Sequence, residues 1–210
     1  VGPGAGGAAV LSGASLSWNH TVGPTGVNRL LTVGVAVGKT PDTGLSLAVT
    51  YNGVPLNSAG IVHSNNRTDG FVQLFYLTAP ATGTHPVEVT LLGGLASIEG
   101  GSVSFTGVHQ TTPIRNITTT TGESATPSVT VASAPGNMVV DALVAGCNGA
   151  FSTIQPARWI RQVNCATGGG NGAQSTAPGA APVTMGYTVP THWWGMIGLV
   201  GVAAAPGAPG

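Results

Sequence analysis

The sequence predicts an all-β protein, a two-sheet β-sandwich of jelly-roll type, on three observations. Short runs of alternating apolar and polar residues recur along the whole chain, and clusters of Gly, Pro, Asn and Asp separate them. No stretch keeps apolar residues at helical spacing for long enough to make a helix. At 210 residues a single sandwich domain is an ordinary size, large enough to bury a substantial core.

Taken in order, "SLSWNHTV" places Leu16, Trp18, His20 and Val22 on one face and Ser15, Ser17, Asn19 and Thr21 on the other, the alternation of a half-buried strand. "RLLTVGVAV" turns Leu31, Val33, Val35 and Val37 inward. Further strands are expected at "LSLAVTY", "FVQLFYLT", "PVEVTLL", "GSVSFTGV", "PSVTVAS", "NMVVDALVA", "ARWIRQV" and "PVTMGYTV", with turn chemistry between them at "YNGVP" and "APATGTHP". The last run, Trp193 to Ala205, has no polar side chain but is shorter than the ~20 residues of a spanning helix. Its Gly195, Gly198 and Gly201 weaken a helix while Ile197, Val200 and Val202 favour a strand. Because it is apolar at both parities, this strand is expected to be buried on both faces.

Three segments follow from this pattern: a flexible Gly-rich arm over 1–13, one sandwich domain over 14–205 and a short tail over 206–210. No internal repeat of solenoid period stands out. The start at Val1 without Met or a signal-peptide pattern fits a processed secreted protein and equally a trimmed chain.

Charge is scarce. Six basic and six acidic residues make up 6% of the chain, against about 25% in an average domain, and they cancel. No basic footprint for nucleic acid or for an anionic membrane surface exists. A nearly uncharged surface promotes association.

Matches to chemical motifs fail on context. "GPGAGG" fits G-x-G-x-x-G but has no strand before it and no helix after it, and "GVAVGKT" is one residue short of a P-loop. There is no G-x-S-x-G elbow and no H-x-x-x-H or D-x-D pair, so neither a metal nor another cofactor is expected. His20, His63, His85, His109 and His192 are scattered, and the acids Asp42, Asp69, Glu88, Glu99, Glu123 and Asp141 lack the close pairing of a glycosidase. Asp141, inside "MVVDALV", must find a partner or stay neutral, and it is expected to be a structural hydrogen-bond or ion centre rather than a catalytic acid. Cys147 and Cys165 bracket "NGAFSTIQPARWIRQVN". A disulfide and two buried thiols are the alternatives, and the disulfide is the expectation. Asn19, Asn66 and Asn116 head N-x-T sequons, candidate glycosylation sites in a secreted chain.

"SVSFTGVHQTTP", then "PSVTVASAPGNMVVDALV" and later "APVTMGYTV", resembles a recurrent class of bacterial secreted β-sandwich surface modules, with "SLSWNHTV", "NRLLTVGVAV" and "VTYNGVPL" as its opening strands. The resemblance implies an extracellular, concanavalin-like or jelly-roll module without a known catalytic site. The cysteine-bracketed loop and the Gly-rich head depart from that class.

Together these point to a non-catalytic extracellular or cell-surface structural protein that self-assembles into a filament, sheath or layer. The arm, through Val10 and Leu11, is the element expected to dock on a neighbour's strand edge. The alternative is a glycan-binding module in which Trp159, Tyr76 or Trp193 stacks on sugar rings.

Overall fold

The computed structural model describes residues 7–146, 149, 152–163 and 170–205. In chain order the first strands are β1 (Ala9–Gly13), β2 (Ser15–Val22), β3 (Leu30–Gly38), β4 (Ser46–Tyr51), β5 (Val54–Pro55), β6 (Asn57–His63), β7 (Phe71–Thr78), β8 (Gly83–Leu92) and β9 (Ala96–Phe105). Then come β10 (Ile114–Ser124), β11 (Ser128–Val131), β12 (Met138–Gly146), β13 (Ser152–Thr153), β14 (Ala157–Gln162), β15 (Gly170–Pro178), β16 (Val183–Thr188) and β17 (His192–Gly201). One 3-10 turn, Asn65–Arg67, joins β6 to β7.

The all-β class holds, but the two expected sheets are four among the described residues. Their strand orders are β2-β8-β4-β5, β1-β9-β3-β7-β6, β10-β17-β12-β15-β14 and β11-β16-β13, with antiparallel neighbours throughout. They stack as layers in that sequence. One apolar cluster joins Leu16, Val49 and Val87 of the first sheet to Leu31, Val33 and Phe75 of the second. A second joins Ala36, Leu74 and Val103 to Ala142, Ile197 and Leu199 of the third. The last joins Leu143, Trp194 and Met196 to Val129, Met185 and Tyr187 of the fourth. The reason for four layers lies in the inner strands: β3, β9, β12 and β17 are buried along nearly their whole length, so both faces need cover. β17 is thus the doubly buried strand that its composition predicts. Among the described residues no helix is long and apolar enough to cross a membrane.

The layers divide between the two halves of the chain, and the halves repeat one topology. Strands β1, β9, β3, β7 and β6 of one inner sheet correspond in position and chain order to β10, β17, β12, β15 and β14 of the other, and β2, β8 and β4 correspond to β11, β16 and β13. Contact between halves is reciprocal: β6 packs on β10 and β17, while its counterpart β14 packs on β9 and sends Arg161 Nε to the Gly7 carbonyl at 2.7 Å. That reciprocity is the signature of a two-fold interface. Each copy spans about half the chain, far beyond solenoid periods.

The arm expected over 1–13 is in part a strand. Ala9 pairs with Glu99, Val10 with Ile98 and Gly13 with Ala96, and Val10 packs against the first apolar cluster, which gives this stretch a place within its own chain. Leu11 points out, 39% exposed. Residues 1–6 and the tail 206–210 lie outside the described residues.

Candidate functional site

Three acids are fully buried, and each marks a different chemistry. Asp141 on β12 accepts from the Ser175 amide at 2.7 Å and the Tyr187 hydroxyl at 2.8 Å through Oδ1, and from Ser175 Oγ at 2.9 Å through Oδ2. Burial pushes its carboxyl up to about 7, against the pull of those donors. This is a closed hydrogen-bond centre linking β12, β15 and β16, built from hydroxyl and amide donors.

Glu99 on β9 is enclosed between the inner sheets, and neither carboxyl oxygen makes a hydrogen bond of ordinary geometry. Burial pushes it up to about 8, offset in part by the nearby Ser97 hydroxyl and Gly170 amide. A neutral carboxylic acid is the form that such surroundings favour.

Asp42 lies in the β3–β4 connection, where its amide donates to the Arg67 carbonyl at 3.0 Å. Its Oδ2 is 2.8 Å from His63 Nδ1, at the end of β6, and its Oδ1 is 3.8 Å from Arg67 Nη1. Asn65, Asn66 and Arg67 all hold positive φ, a local strain secured by Asn65 Nδ2 donating to Asp69 and Thr40 Oγ1 donating to the Thr68 carbonyl. The contact to Asp42 through Nδ1 fixes the orientation of the His63 ring. No residue spacing announces this pair, since 21 residues and a folded loop separate its members. Among the described residues no group of three or more His, Cys, Asp or Glu side chains could hold a metal ion.

The three aromatic residues expected to stack on sugars are not brought together into a platform. Trp159 is buried at 3% exposure between the inner sheets, its Nε1 donating to Gln174 Oε1 at 2.8 Å, so it offers no face to a ligand. Its ring occupies a slot where Gly34, Gly101 and Gly172 supply no side chain. Tyr76 is half-buried against the central apolar cluster and Trp193 is half-buried at the start of β17. Of the sequons, Asn19 and Asn66 are exposed, whereas the exposed Asn116 commits its Nδ2 to the Ala132 carbonyl at 2.7 Å. Cys147 and Cys165 lie outside the described residues.

On the outermost sheet of the first half, a groove of about 570 Å³ runs over β2, β8 and β4 beside Val10. Ser15, Ser17, Thr50 and Thr90 line it with hydroxyls and Glu88 brings its one charge, held by Thr50 Oγ1 at 3.2 Å. Hydroxyl pairs continue this surface: Thr21 to Thr84 at 2.7 Å here, and Thr130 to Thr184 at 2.9 Å on the opposite outer sheet. Both outer faces are therefore hydroxyl-rich sheets, with Glu88 the charge on the first. Comparison with protein-family models, with curated proteins and with solved structures gives no match.

Proposed function

We propose that this chain is a non-catalytic, extracellular structural protein that self-assembles, built from two fused sandwiches of jelly-roll type. In each half the first strand lies beside the last, the third follows, and the second strand pairs with the last but one in the companion sheet, an order consistent with that type. One observation carries the assembly reading. The edge strand β2 contains no Lys, Arg, Asp or Glu and no proline, although natural edges are normally blunted by such residues. The chain's 6% charge leaves few residues to do so elsewhere. Secretion and a surface location accord with this composition and with hydroxyl-rich outer faces.

Sedimentation velocity and electron microscopy of the full chain over a wide concentration range test this reading. Oligomers or polymers that persist as salt is raised are expected, because main-chain pairing is not screened as exposed charges are. A chain that stays monomeric at every concentration overturns it.

A further inference from the structure

We propose that the free edge of β2 pairs with β2 of a second copy, antiparallel, about a two-fold axis through Trp18. This rests on the self-assembly reading and specifies its contact. The direction of every backbone group on β2 follows from one bond. The Leu91 amide donates to the Ala14 carbonyl at 2.8 Å, and the ladder continues without a break from Ser15 opposite Thr90 to Val22 opposite Gly83. Even-numbered residues therefore bond to β8, and Ser15, Ser17, Asn19 and Thr21 direct their N–H and C=O groups away from the sheet. All four residues are exposed. None of their outward backbone groups has a partner among the described residues.

The duplicated half shows such an edge partly capped by its own chain. β11 is the counterpart of β2, and the Tyr187 amide bonded to the Pro127 carbonyl sets its parity, so that Ser128, Thr130 and Ala132 face outward. Thr120 Oγ1 caps the Ser128 carbonyl at 2.8 Å and Asn116 Nδ2 caps the Ala132 carbonyl at 2.7 Å, both reaching over from β10. In the first half the strand in the place of β10 is β1, with five residues to its eleven, and no side chain of β1 caps β2. β6 and β10 are interrupted by register shifts and β14 carries Arg158 and Arg161, whereas β2 has neither bulge nor charge.

A second copy is the occupant because the edge is complementary to itself. Outward-facing residues must bond to outward-facing residues, so odd positions must oppose odd positions. Centring on Trp18 meets that condition over the whole strand: Ser15 opposes Thr21 of the second copy, and Ser17 opposes Asn19. Hydroxyl and amide side chains then meet on the outer face, and no like charges are brought together. The two outer sheets become one, with every main-chain bond formed twice by symmetry.

Ser17→Pro tests the pairing. It removes one outward N–H on each copy while sparing the bonds to β8, and Leu16 is already extended as the residue before a proline must be. Sedimentation equilibrium should show association weakened by about tenfold or more, with melting temperature and circular dichroism retained, while Ser17→Ala associates as the wild type does. Should Ser17→Pro fail to fold, Ser17→Lys places a charge from each copy near the axis and should weaken association in a salt-dependent way. A folded Ser17→Pro or Ser17→Lys that associates like the wild type overturns the β2 contact and leaves self-assembly standing. A wild-type chain that never associates overturns both.

Discussion

At the scale of the residue, the buried acids set the pH dependence of stability. An acid with a folded-state pKa above its unfolded value holds its proton more tightly when folded. Its contribution is complete below the unfolded values, 3.8 for Asp141 and 4.5 for Glu99, and is lost as pH rises through about 7 and about 8 respectively. His20 acts oppositely. Burial lowers it from 6.5 to about 4, so its contribution is present above 6.5 and lost as pH falls through about 4. Of these three groups the two acids are the ones still changing between pH 6.5 and 8, and the melting temperature should fall across that window. Glu99→Gln should flatten the slope and raise the melting temperature at the upper end, read by calorimetry in a pH series. An unchanged slope would mean that Glu99 is not the group responsible. Asp141 shows what residue-level reasoning reaches: its place in an apolar run reveals a buried acid, but its donors, Ser175 and Tyr187, come from strands 34 and 46 residues away and leave no local mark.

At the scale of the element, glycine explains a strand that sequence reading misses. β15, "GNGAQSTAP", has almost no β-forming residue and yet is buried from Gly170 to Ala177. It passes so close to the first half that a Cβ on Gly172 would lie 2.8 Å from Ala36 Cβ and 3.1 Å from the Trp159 ring. Small residues are required there by tertiary contact, which overrides strand propensity. On β9 a Cβ at Gly101 would stand 2.3 Å from Trp159 Cγ. Gly101→Ala should therefore cost about 1–3 kcal/mol in urea unfolding and shift the tryptophan emission as the ring is displaced. Emission and stability matching the wild type would show that the slot has room to spare. Where alternation is strong, the elements are legible directly: β2 shows the alternating burial its sequence predicts, and "YNGVP" forms the β4–β5 hairpin turn with Asn52 and Gly53 both at positive φ.

At the scale of the whole molecule, the central apolar cluster belongs to both halves at once, since Ala36, Leu74 and Val103 meet Ala142, Ile197 and Leu199. The connection between halves is stitched to each, the Val108 amide bonding to the Asn28 carbonyl and the His109 amide to the Val202 carbonyl. One cooperative transition is expected on heating. Leu199→Ala, at the middle of the shared core, should lower stability by about 2–5 kcal/mol and keep the transition single. Two resolved transitions would instead mean that each sandwich unfolds on its own.

By itself the sequence determined what local chemistry determines: an all-β chain, the positions of its strongly alternating strands, the Asn-Gly turn, the double burial of β17 and the scarcity of charge on its surface. Each of these is written within a few residues, as a period, a turn dipeptide or a composition. Only the tertiary structure decided the four layers, the duplicated topology, the burial of Trp159, the Asp42–His63 pair and the bare edge of β2. These depend on which distant strands become neighbours. A strand's sequence tells whether its faces are apolar, but it does not tell which sheet covers them or whether a neighbour caps its edge.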